Sequence, residues 1–221
     1  QLIFLSAIGV TFIYVFYPFF HTVGITGVAG YIGATGLAIE LTFLLMTYPE
    51  WYVIDIAGVL LAAGVAAIFG ISFGLLPALL LLVGLAIYDA WAVYQTGHMV
   101  DLADSVMNLK LPILLVIPKS KGYSFLDQGS LADQIEKGEK REALFMGLGD
   151  LVIPGALVVS SKVALGWTVG IFSMVGSLIG FWILMTYVMS GRPQAGLPLL
   201  NGGAILGYLI GAYFVVGDLG L

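Results

Sequence analysis

The stretch Leu75-Leu76-Pro77-Ala78-Leu79-Leu80-Leu81-Leu82-Val83-Gly84-Leu85-Ala86-Ile87-Tyr88-Asp89-Ala90-Trp91-Ala92-Val93-Tyr94-Gln95 decides how this chain must fold. It is apolar almost throughout and long enough to cross hydrocarbon, which takes about 20 residues of α-helix. Six further stretches come near the same length and hydropathy: residues 2–20, 23–47, 51–70, 143–163, 166–189 and 197–217. The 221 residues are 60% hydrophobic and 10% charged, with a mean hydropathy of +1.07. The expected fold is therefore an all-α polytopic membrane bundle with seven spans. A soluble domain and a disordered chain are excluded. With no cysteine, so are a disulfide scaffold and thiol chemistry. A net charge of -5 offers no basic face for phosphates, which argues against a nucleic-acid partner. The chain opens on Gln1 without a methionine or a basic leader, so it is expected to start mid-protein.

Working outward, residues 1–95 form N-terminal membrane helices, 96–142 a polar loop, and 143–221 C-terminal membrane helices. The loop holds Lys110, Lys119, Lys121, Lys137, Lys140 and Arg141. Arg192 falls on the same side by helix counting, and only Lys162 on the other. The positive-inside rule puts the loop in the cytoplasm and the C-terminus outside. In the second span Gly24, Gly27, Gly30, Gly33 and Gly36 recur every third residue, a pattern that lets helix backbones approach.

Ionisable groups inside spans are costly and so point to function. Four are present: Glu40, Asp55, Asp89 and Asp150. Asp89 lies six residues before the inner end near Gln95, and Asp150 six residues after Leu144 on a helix running the other way. Each is about 9 Å from the inner face. If those helices touch, the two carboxylates face each other and share one proton, because two close carboxylates cannot both ionise. The ionised partner can take a proton from water while the protonated one donates to a peptide carbonyl, the acid and base work of amide hydrolysis. No cofactor, metal or covalent nucleophile is called for. The glycines of Gly147-Leu148-Gly149-Asp150 leave room beside the second acid for an extended backbone. Asp55, near the membrane edge, is equally readable as structural. Glu40 is either a contact to another helix or a sign of proton transport.

These residues resemble the signature of the presenilin and signal peptide peptidase family of intramembrane aspartyl proteases, archaeal presenilin homologues in particular. The resemblance is carried by Tyr88-Asp89, Gly147-Leu148-Gly149-Asp150 and Leu197-Pro198. It is supported by Tyr48 to Asp55, Val116-Ile117-Pro118-Lys119, Leu151 to Pro154, and Gln194 to Ile205. It implies that Asp89 and Asp150 are the catalytic pair, and that Tyr88, Gly147, Leu148 and Gly149 shape the groove. Gly196, Leu197 and Pro198 occupy the last motif, where the family's Pro-Ala-Leu is replaced by Ala195-Gly196-Leu197. The family's nine spans against seven here imply a chain lacking the first two. Presenilin orientation agrees with the basic loop. The partners implied are transmembrane helices of substrate proteins and the lipid bilayer, and a homo-oligomer is compatible with this.

Between the aspartates, Leu111 to Pro118 is too short to span and is bounded by prolines, which predicts a β-strand, with Leu114 and Val116 contacting substrate; the competing expectation is an interfacial segment. Gly70-Ile71-Ser72-Phe73-Gly74 has the Gly-x-Ser-x-Gly form but joins two spans, and is read as a turn. His98, Asp101 and Asp104 are read as a solvated helix end, not a zinc site. Prepilin peptidases also use Gly-x-Gly-Asp, but Lys162 lies too far on and the Tyr-Asp span has no counterpart there. The alternative of another class is a proton- or cation-coupled transporter built on the four acids.

Overall fold

The computed structural model describes residues 2–96, 114–120, 123–125, 143–189 and 194–220. His98, Asp101, Asp104, Arg192 and every basic loop residue but Lys119 lie outside the described residues. Among the described residues, seven α-helices stand where seven spans are expected: α1 (Leu2–Thr22), α2 (Gly27–Thr47), α3 (Trp51–Phe73), α4 (Leu75–Trp91), α5 (Gly149–Leu165), α6 (Trp167–Met189) and α7 (Leu197–Gly211). Six are long and apolar enough to cross a membrane. α4 and α7 each run on into a π-helical turn, Ala92–Thr96 and Ala212–Val216. Single glycines in the left-handed region, Gly74 at φ +71 and Gly166 at φ +96, turn α3 into α4 and α5 into α6, conformations that side chains resist. The Gly-x-Ser-x-Gly stretch is therefore the end of α3 and its turn.

α5 corrects the expected fifth span. Residues 143–147 are not helix but a strand, β2 (Ala143–Gly147), antiparallel to β1 (Leu114–Pro118) with Val116 opposite Phe145. A short apolar run such as Ala143-Leu144-Phe145-Met146 reads the same for strand and helix, and only a partner decides. The strand expected at Leu111–Pro118 thus forms over Leu114–Pro118, already paired within the chain.

The chain divides into two compact units that interleave along the sequence: residues 1–64 with 100–148, and residues 65–99 with 149–221. In the first, α1 packs on α2, where Tyr17 stacks on Tyr31 at 4.0 Å between centroids. A two-stranded sheet is marginal alone, and this one is stabilised by packing. Val116 and Ala143 join Val53, Ile54, Ala57, Tyr123 and Phe125 in the same apolar core as Leu5, Phe12 and Leu45. In the second unit, Leu75, Ala78 and Leu82 of α4 pack with Leu157 of α5, Val169 of α6 and Ala204 and Tyr208 of α7.

Close backbone approach occurs elsewhere than the glycine triplets suggest. Gly24 and Gly27 have positive φ at the α1–α2 turn, and Gly36 has open space beside it among the described residues; only Gly30 and Gly33 pack, Gly33 against the Phe20 ring. The tight crossing is α6 on α7, where a side chain on Gly176, Gly180, Gly203 or Gly207 would strike the backbone of the facing helix. Its small residues are spaced by four, one helical turn, and so stay on one face.

Candidate active site

α7 opens at Leu197 with Pro198 in its first turn and no side-chain cap from Gly196. A helix start leaves backbone N–H groups without partners. Here the partner comes from another helix. Asp89, in the last full turn of α4, is 8% exposed, and its Oδ2 accepts the Leu197 N–H at 3.0 Å. The Gly196 N–H is also directed at this carboxylate. Asp89 is thus the missing N-cap of α7.

Asp150 is the second residue of α5. Its Oδ2 lies 3.2 Å from where a Cβ on Gly196 would stand, and its carboxyl is near enough to Asp89 to feel its charge. Both acids therefore converge on the Gly196–Leu197 peptide, one from the C-terminal end of α4 and one from the first turn of α5, helices that pack on each other and on α7. The expected meeting of oppositely directed helices is observed. The depth argument behind it needs correction, because residues 143–147 are extended and Asp150 does not lie six helical residues along its span.

The residues flanking Asp150 differ in role. Gly149 is exposed, and among the described residues no heavy atom lies within 4 Å of where its Cβ would be, so approach beside Asp150 is open. Gly147 ends β2, and Leu148 is buried against Gly58 of α3. Tyr88 is 62% exposed, its ring 6.3 Å from that of Trp91; about 100° of helix rotation separates it from Asp89, so its side chain does not join the carboxylates. Pro198 is half-buried in the first turn of α7. Val116 turns its side chain into the core of the other unit, with Leu114 packed against it.

Two features were not read from sequence. One is the pair of backbone donors at Gly196 and Leu197, although Pro198 marks a helix start and hence free N–H groups. The other is Asn201, fully buried on α7, whose Nδ2 donates to Leu82 O of α4 at 2.9 Å and ties together the two helices that frame Asp89. A buried amide in a span must find such a partner.

The model of the family described as signal-peptide peptidase, presenilin aspartyl protease matches residues 1–216. The chain belongs to that family. Its protease activity is accordingly that of an intramembrane aspartyl endopeptidase, carried by an integral, multi-pass membrane protein. The solved structure of a presenilin family intramembrane aspartate protease in space group C222 is 42% identical to this protease over 95% of this chain and 73% of that chain, with a TM-score of 0.66. Another in space group P2 is 42% identical over 96% and 72%, with a TM-score of 0.69. Comparison with curated proteins gives no match. Family membership sets aside the transporter and the prepilin-peptidase reading.

Proposed function

We propose that Asp89 and Asp150 are the catalytic pair and cleave peptide bonds within transmembrane segments of other membrane proteins. The observation that supports this is the convergence of both carboxylates on the Gly196–Leu197 peptide. One proton is shared between them. The ionised carboxylate removes a proton from a water as its oxygen attacks the scissile carbonyl, while the protonated partner gives its proton to the carbonyl oxygen. The tetrahedral diol then collapses as a proton passes to the leaving nitrogen, releasing a carboxylic acid and an amine. The catalytic dyad is thereby restored to its singly protonated state.

A helical substrate must unwind before its peptide bond is exposed, and an unwound segment in lipid needs backbone partners. Strand addition supplies them. β1 has β2 on one side, and its central outward N–H, at Val116, is taken by Asp55, so the incoming strand pairs with β2, which ends at Gly147, three residues before Asp150. The basic loop sits on the cytoplasmic side and the C-terminus outside.

The test is cleavage of a membrane-spanning peptide by purified protein in liposomes. Asp89→Ala and Asp150→Ala each abolish cleavage if the pair is correct. Persistent cleavage in either variant overturns the assignment.

A further inference from the structure

Two acids of the first unit play no part in the chemistry above, yet one is tied to the sheet and the other to the chain beyond it. Asp55, in the second turn of α3, accepts the Val116 N–H on Oδ1 at 2.8 Å. Glu50, just before α3 and buried, accepts the Ser124 hydroxyl on Oε1 at 2.8 Å and the Phe125 N–H on Oε2 at 3.1 Å. The register shows what the first of these bonds does. In an antiparallel pair, alternate residues point their N–H groups toward and away from the partner strand. Val116 faces Phe145 and gives its N–H to Asp55, so Leu114, Val116 and Pro118 are the outward positions of β1. Pro118 has no N–H, and Val116's is occupied. Only Leu114 remains, so the outer edge of β1 is a poor template for another strand.

We propose that Asp55 is a positioning residue for the protease reaction: its carboxylate closes the outer edge of β1 and holds the sheet on α3, so that a substrate strand is received by β2 in one register. Glu50 fixes the chain that leaves β1, at Ser124 and Phe125. The inference rests on the strand-addition reading. A carboxylate suits the task because it accepts a backbone N–H as strongly as any side chain, and it sits on a helix already packed against Val116.

The test compares Asp55→Ala with Val116→Pro. Proline removes the donor at an outward-facing strand position, where it is tolerated, and also replaces the buried Val116 side chain, so Val116→Ala is its packing control; Val116→Pro serves as the second probe should Asp55→Ala fail to fold. Asp55→Ala and Val116→Pro are each expected to raise KM about tenfold, the scale of one hydrogen bond to a charged group, to leave kcat nearly unchanged, and to spread cleavage over neighbouring peptide bonds. The double variant is expected to be no worse than Val116→Pro alone, because both changes remove the same bond. Asp55→Asn, whose amide oxygen still accepts, is expected to rescue most of the loss. Hydrogen exchange at Val116 should rise in Asp55→Ala. Exchange that rises while KM and cleavage positions stay native, or single effects that simply add, overturns the positioning role. The strand-addition reading fails separately, if deleting Ile113 to Ile117 leaves turnover unchanged.

Discussion

Each compact unit places two acids where apolar packing surrounds them, and uses them differently. In the first, Glu50 has both oxygens occupied and Asp55 one, all by donors that β1 and the residues after it supply. In the second, Asp89 is held by the start of α7, while among the described residues no donor bonds to Asp150. A carboxylate whose oxygens accept donors from the fold is a fastener. One that faces a second carboxylate and accepts no donor among the described residues has capacity left for water and substrate. Remaining hydrogen-bonding capacity, more than burial, separates the two uses.

The largest effect expected from breaking this comparison is on Asp150. Asp150→Ala or Asp150→Asn should cut the cleavage rate by at least about 10²–10⁴-fold while thermal unfolding moves little, since none of the described residues donates to this side chain. Glu50→Ala should do the reverse. The Phe125 N–H loses its partner inside a core, at a cost of about 1–3 kcal/mol, visible as a lower unfolding temperature. The proposed pair should titrate as a unit, so kcat/KM should rise with pH as the first proton leaves the dyad and fall as the second does; a rate flat from about pH 4 to 9, a window wider than ordinary carboxylate values, would contradict the shared proton. At the α6–α7 crossing, Gly203→Leu should lower stability by about 1–3 kcal/mol through overpacking. The smallest effect belongs to Gly149→Ala. With no heavy atom of the described residues within 4 Å of its Cβ position, the change should stay within about 0.5 kcal/mol in stability, so any loss of turnover reports crowding of the substrate path.

Much of the site was legible because acids in a span are rare and expensive. Glu40, Asp55, Asp89 and Asp150 all stood out on that ground, and Asp89 was paired with Asp150 because both were placed about 9 Å from the inner face. Leu197 and Pro198 were reached only through resemblance; that their contribution includes a backbone N–H aimed at Asp89 follows from where α7 begins. The second strand was misread as helix because five apolar residues carry no period of their own. Asp55 was readable as structural or functional until its partner, Val116, sixty-one residues away, came into view.

By itself, the sequence determined the solvent, the helices and the identity of the acids, since these follow from transfer free energies and residue types that act locally. Tertiary structure alone decided which backbone each acid serves. A carboxylate's role depends on the donors that reach its oxygens, and those come from segments distant in the chain that only packing brings together.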